Sequence, residues 1–188
     1  MTGSDTKQRI MDAARLTMQA HGYGGLSFRE LAKDVGIKSA SIHYYFPSKA
    51  DLGAAVARCY WEDTAADLES MLAETLDPAR CLRQYPDIFR KSLERDNRLC
   101  LCSFMAAEYD DLPETVKKEV QTFADVNVAW LSRALTAAAV VSAEESEQRA
   151  RAIFAAVAGA QLMARSRSDI TLYDALIESY RAAGLLPA

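Results

Sequence analysis

Glycine and proline are scarce, at 8 and 5 in 188 residues, and no run alternates Val, Ile or Thr with polar residues. That leaves the balance of propensities with helices, so an all-α protein is expected. Half of the residues are hydrophobic, which excludes a disordered tail and allows a real core. The chain holds only two histidines and four cysteines, Cys59, Cys81, Cys100 and Cys102, and none of them pair at zinc spacing. No metal site is expected, and because the N-terminus lacks an export signal the thiols are expected to be reduced. A glycine-rich phosphate loop is missing too, so no cofactor is expected. No apolar segment follows Met1-Thr2-Gly3-Ser4-Asp5-Thr6-Lys7, and the Ala-rich stretch from Ala152 to Ala164 is too short and too flanked by Arg to span a bilayer. The expectation is a soluble, cytoplasmic protein with no membrane partner.

A net positive charge is also lacking: the formal charge is −4. Indiscriminate nucleic-acid binding is therefore disfavoured, but the charge is unevenly placed. Residues 1–60 hold eight Lys or Arg against five acids, whereas the remainder holds fourteen against twenty-one. This asymmetry points to a local basic footprint on an acidic molecule.

The positive signals begin in that basic part. Thr6 can cap a helix running to about His21, with Ile10, Ala13, Ala14, Thr17 and Met18 on one face. After His21-Gly22-Tyr23-Gly24-Gly25, the segment Ser27-Phe28-Arg29-Glu30 reads as a capping box that opens a second helix. Gly36 stops this helix, since a tight helix-to-helix turn needs the left-handed conformation. A third helix is expected from Ser39 to Phe46. Small Ala32, four residues before Gly36, lets the next helix cross closely, and Leu31, Val35, Ile37, Ile42 and Tyr45 fall where two steeply crossed helices face inward. Ser48 and Asp51 form a second capping box for a fourth helix, whose start, with Lys49 beside it, suits a phosphate.

The segments Ala13-Ala14-Arg15-Leu16, Gly22-Tyr23, Leu31-Ala32, Val35-Gly36-Ile37 and above all Ser41-Ile42-His43-Tyr44-Tyr45-Phe46-Pro47-Ser48-Lys49 resemble the DNA-binding domain of the TetR family of transcriptional regulators, over roughly residues 8 to 55. The resemblance implies a helix-turn-helix DNA-binding domain at residues 1–50 and a helical effector-binding and dimerisation domain at 51–188, about nine helices in all. It places the third helix in the major groove of a double-stranded operator. Ser39, Ala40, His43 and Tyr44 would then reach base edges, Ser41, Tyr45 and Lys49 phosphates, and Arg29 either. His43 stands where the family usually has a tyrosine; a merely solvated or buried histidine is the alternative to its DNA contact.

Beyond Ser48 the helical pattern runs through Leu52, Val56, Tyr60, Trp61 and Leu68 towards Leu76 and ends at Asp77-Pro78. Further helices are expected from Pro78 to Glu94, Arg98 to Ala107, Pro113 to Ala139, Ala143 to Ala164 and Ser168 to Ala183. By resemblance the last two pair with a second copy of the chain, and the stripe Ala152, Ala155, Ala156, Gly159, Ala160 and Met163 permits close contact; an internal core helix would read the same. The resemblance also implies a small-molecule effector pocket among the fourth to eighth helices, with Tyr60, Trp61, Phe89, Cys100, Phe104, Met105, Phe123, Asn127 and Trp130 as candidate walls. Aromatic residues at helical spacing are equally what plain core looks like.

The stretch Cys100-Leu101-Cys102-Ser103-Phe104-Met105-Ala106-Ala107-Glu108 resembles a Cys-to-Glu pattern of a TetR subgroup, some members of which sense electrophiles or oxidants through the cysteine. Leu99 and Ser103 replace the glycines of that pattern. Two residues apart on one helix, Cys100 and Cys102 would point about 200° apart and could not pair. Three readings follow: an effector-released repressor, a thiol-based sensor of the same fold, and, remotely, a thiol enzyme. The enzyme reading lacks a base, since the sequence places neither His21 nor His43 near the thiols.

Overall fold

The computed structural model describes residues 3–75 and 77–187; Leu76, towards which the sequence carries the fourth helix, lies outside the described residues. Among these residues the secondary structure is helical throughout: α1 (Gly3–His21), α2 (Phe28–Val35), α3 (Ser39–Tyr45), α4 (Lys49–Ala73), α5 (Pro78–Glu94), α6 (Leu101–Ala107), a 3₁₀ turn (Tyr109–Asp111), α7 (Glu114–Ala137), α8 (Ala143–Arg167) and α9 (Ile170–Ala182). The all-α expectation and the count of about nine helices both hold.

The boundaries that moved have local causes. α1 starts at Gly3 and takes Thr6 inside the helix instead of using it as a cap. The second capping box forms in full, with Ser48 and Asp51 exchanging bonds at 3.0 and 3.1 Å. Only half of the first one does: Ser27 Oγ accepts from the Glu30 amide, but the Glu30 carboxylate takes the Lys33 ammonium at 2.9 Å instead of the Ser27 amide. A charged partner one turn along outcompetes a neutral one. α6 starts at Leu101 rather than Arg98, because Asp96 and Asn97 are left-handed (φ 58° and 53°) and the Asn97 side chain donates to Arg165 O. Cys100 therefore precedes the helix, so the separation of about 200° expected of two such positions within one helix does not apply to it and Cys102. α8 continues to Arg167 and stops at Ser168, which is left-handed with φ 50°; Asp169 then caps α9.

The helices form two compact units, Met1–Glu62 with Leu101–Thr122 and Asp63–Cys100 with Phe123–Ala188. In the first, Ile10, Ala14 and Met18 of α1, Leu31, Ala32 and Val35 of α2, and Ile42, Leu52 and Val56 are all buried, together with Leu101, Met105 and Val116. Gly36 ends α2 at φ 73°, and its neighbour Ile37 donates back to Ala32 O at 2.9 Å. That left-handed cap is what turns the chain sharply enough to lay α3 across α2.

In the second unit α5, α8 and α9 pack on one another around Leu82, Tyr85, Phe89, Trp130, Leu135, Ile153, Val157 and Tyr173. Pro86 interrupts the amide ladder of α5, and Tyr173 of α9 donates to the Pro86 carbonyl at 2.7 Å. The small-residue stripe of α8 divides. Ala160 is fully buried in the core, whereas Ala152, Ala155, Gly159 and Met163 are exposed and Ala156 is half-buried. Leu162 joins the exposed face at 58% accessibility.

Candidate nucleic-acid interface

The α2–α3 pair presents one face outward. Ser39, Ala40, His43 and Tyr44 are all exposed, and Tyr44, at 83%, is the most exposed large hydrophobic side chain among those described. Its ring meets that of Tyr45 edge-on at 5.1 Å, so Tyr45, half-buried, acts as a stand for it. Ser41 is half-buried beside them. His43 packs edge-on against Phe28, and its Nδ1 lies 3.4 Å from Pro47 O. Because a carbonyl only accepts, that contact requires the proton on Nδ1. Arg29 is 81% exposed at the start of α2, close to Glu30. Ile42, between the exposed positions, is fully buried and anchors the helix.

Lys49 opens α4. Its ammonium sits 4.6 Å from the centre of the Tyr23 ring and donates to Gly24 O at 3.3 Å, which leaves donors free for a phosphate. The turn that carries Tyr23 and Gly24 is itself held from residue 108: Glu108 Oε2 accepts from the Tyr23 amide at 2.6 Å and Oε1 from the Gly24 amide at 3.1 Å. Sequence reasoning noted Glu108 only as part of a cysteine pattern. A contact spanning 85 residues leaves no local signal, although the glycines on either side of Tyr23 hinted at a close approach.

The candidate effector residues fall in different units. In the first, Tyr60 is buried under the Arg15 guanidinium, 4.7 Å from its ring, and Met105 is fully buried while Phe104 is half-buried. Trp61 Nε1 donates to Glu119 Oε2 at 2.8 Å, and Arg58 donates to Glu119 Oε1 at 2.6 Å. Burial on its own would raise the Glu119 carboxyl, but these two hydrogen bonds and the guanidinium charge outweigh it and hold it below the ordinary range.

In the second unit Phe89, Phe123, Asn127 and Trp130 come together with two residues that the sequence did not single out, Tyr85 and Phe154. Tyr85 stacks on Trp130 at 5.8 Å and meets Phe89 at 5.7 Å, while Phe154 lies 6.2 Å from Phe89 and 6.1 Å from Phe123. Tyr85 donates to Asn127 Oδ1 at 2.9 Å, Asn127 to Phe123 O at 2.8 Å and Trp130 to Leu68 O at 2.7 Å. Burial, with smaller contributions from Cys100 and Tyr173, pushes the Tyr85 hydroxyl well above its usual range and keeps it a donor. Phe154 also lines a surface groove of about 610 Å³ with Asp125, Ser132, Arg133, Glu147 and Arg151.

Gln161 was likewise missed. Fully buried, it accepts from the Cys100 amide at 3.0 Å and donates to Phe89 O at 2.6 Å. Gln161→Leu keeps the size but strands both backbone groups, so unfolding in urea should show a loss of about 2–6 kcal/mol, each buried unpaired group costing about 1–3. A loss below about 1 kcal/mol would mean that water replaces the amide.

Cys81, Cys100 and Cys102 are buried and Cys59 is half-buried. Among the described residues no group of three or more His, Cys, Asp or Glu side chains is placed to hold a metal ion, and no helix is long and apolar enough to cross a membrane.

Residues 10–56 match the family model described as bacterial regulatory proteins, tetR family. A solved TetR transcriptional regulator from Legionella pneumophila is similar over 97% of this chain and 99% of its own, at 30% identity and a TM-score of 0.90. A TetR-family regulator from Agrobacterium tumefaciens follows, at 27% identity and a TM-score of 0.89 over 97% and 98% of the two chains. In sequence, the HTH-type transcriptional repressor NemR of Escherichia coli K12 is 26% identical over 187 residues, covering 93% of this chain and 92% of that one.

Proposed function

Because the chain belongs to the TetR family of bacterial regulatory proteins, we propose that it is a dimeric repressor that leaves a palindromic operator when a small-molecule effector binds. The observation that carries the reading is the exposed face of α3. Four side chains at reading positions are exposed above a buried Ile42, on a helix set across α2 by the left-handed Gly36. Such a helix is narrow enough for the major groove, and a pair of them one helical turn apart matches a two-fold operator. We assign residues 1–50 to DNA binding and 51–188 to effector binding and dimerisation. Base contacts fall to Ser39, Ala40, His43 and Tyr44, and phosphate contacts to Ser41, Tyr45 and Lys49, with Arg29 serving either.

The second copy packs against the exposed α8 face of Ala155, Gly159, Leu162 and Met163, in company with α9. That face supports the reading because large apolar side chains on a long helix otherwise stand in water. For the effector we favour an apolar or aromatic molecule that enters the groove at Phe154, displaces that ring and reaches the cluster of Phe89, Phe123, Asn127 and Trp130. Binding of the full chain to the DNA upstream of its own gene, titrated across salt with and without candidate effectors, tests the reading. Failure to find any sequence-specific complex refutes it.

Thiol sensing through Cys100 or Cys102 is the second reading, motivated by the Cys-to-Glu resemblance. Their burial, at 2% and 1% accessibility, weighs against it, because an attacking thiolate must meet its reagent. In the native protein an aromatic disulfide reagent should therefore label Cys59 first, with Cys81, Cys100 and Cys102 reacting only on unfolding. Rapid labelling of Cys100 together with loss of the DNA complex would reverse the order of the two readings.

A further inference from the structure

We propose that Glu108 is a positioning residue for DNA binding: by gripping the turn after α1 it sets the Lys49 ammonium for its phosphate contact. The inference rests on the phosphate role assigned to Lys49 above and deepens it.

The turn from Gly22 to Gly25 has few bonds of its own. The Tyr23 and Gly24 amides are both directed at one carboxylate, in the manner of a backbone nest, and Glu108 fills it with one oxygen on each amide. Gly22 is tied to this arrangement twice over. Its backbone is left-handed at φ 71°, and a Cβ there would stand 2.4 Å from both carboxylate oxygens. No residue with a side chain can occupy position 22 while Glu108 stays where it is.

The gripped residues are the ones that hold Lys49. Tyr23, 7% exposed, offers its ring to the ammonium, and Gly24 offers its carbonyl. Gly53, one turn after Lys49 on α4, closes the other side: a Cβ on it would come within 2.7 Å of Tyr23 Cε2, so the ring has no room to retreat. A carboxylate on the amides and a lysine on the ring and carbonyl thus share one two-residue segment. Ordering the long stem of lysine has an entropic cost, and here it is met before DNA arrives, which is what a preorganised contact requires. A glutamate near a DNA-facing surface would ordinarily repel phosphate; here its charge is turned onto two amide dipoles.

The test uses the full chain and an operator selected by it from a random-sequence DNA pool, with thermal melts confirming that each variant is folded at the assay temperature. Glu108→Gln retains the shape but can accept from only one of the two amides. It should reduce operator affinity about fivefold or more, the range of a direct coupling, and make the salt dependence shallower by about one per subunit, as losing one phosphate contact does. In a Lys49→Ala background the same change should add less than about twofold, whereas with Tyr44→Ala the effects should multiply. Gly22→Ala, which pushes the carboxylate out, should reproduce the Glu108→Gln pattern. No change in affinity, an unchanged salt slope, or full multiplication with Lys49→Ala would overturn the proposal and leave the DNA-binding reading intact. A wild-type chain that selects no sequence would overturn that reading, and this inference with it.

Discussion

Tyr44→Ala is expected to weaken operator binding about ten- to a hundredfold, the worth of one good base contact, while barely altering binding to unrelated DNA. Tyr44 is 83% accessible, so removing its ring takes almost no buried apolar area from the fold and the melting temperature should stay near that of the wild type. What is lost is lost only against the groove, where the ring can meet a thymine methyl group and the hydroxyl a base edge or phosphate. Lys49→Ala should behave differently. A phosphate contact is blind to sequence, so specific and non-specific complexes weaken together and the salt slope becomes shallower by about one per reader. It should also cost about 0.5–1 kcal/mol of stability, because the ammonium lies over Tyr23 in the free protein. Fluorescence anisotropy with operator and scrambled duplexes from about 50 to 200 mM salt separates the two patterns. Equal losses of specificity from both changes would contradict the division of roles.

The reader was legible because its signals are local. Gly36 announces a left-handed cap four residues after small Ala32, and Ser48 and Asp51 sit three apart, so each capping and turn decision was written within a few residues of the bond that carries it out. The family resemblance rested on this same compact segment. Legibility failed where partners are far apart in sequence. Gln161 bridges Cys100 and Phe89 across 61 and 72 residues, and nothing around any of the three marks the arrangement. Tyr85 carries no local mark either, because its acceptor on Asn127 lies 42 residues on. Glu30 shows a subtler failure: the capping box was there in residue types, yet Lys33 offered the carboxylate a stronger bond. Helix periodicity could not say which neighbour each face meets, and so the stripe on α8 read as one surface although Ala160 turns into the core and Met163 out of it.

That outward face of α8 carries the last prediction. Ala155 and Leu162 are seven residues apart, two turns along the same side of the helix, and both are exposed. Ala155→Glu with Leu162→Glu puts two charges on that side without removing any buried group, so helicity and melting behaviour at low concentration should be close to those of other monomeric chains of this size. If the face is the dimer contact, the paired carboxylates meet their own symmetry copies across the two-fold axis and cannot be desolvated together. Sedimentation should then show a monomer. Operator affinity should fall by about 10²–10⁴, at least as much as the largest effect expected of a single reader substitution, because the second half-site is no longer delivered at high effective concentration. Gln84→Glu, an exposed change on α5, serves as the charge control and should leave assembly untouched. A double variant that still sediments as a dimer would move the interface elsewhere. A monomer that binds the full operator as tightly as the parent would show that one reader suffices, and the two-fold model of operator recognition would have to be abandoned.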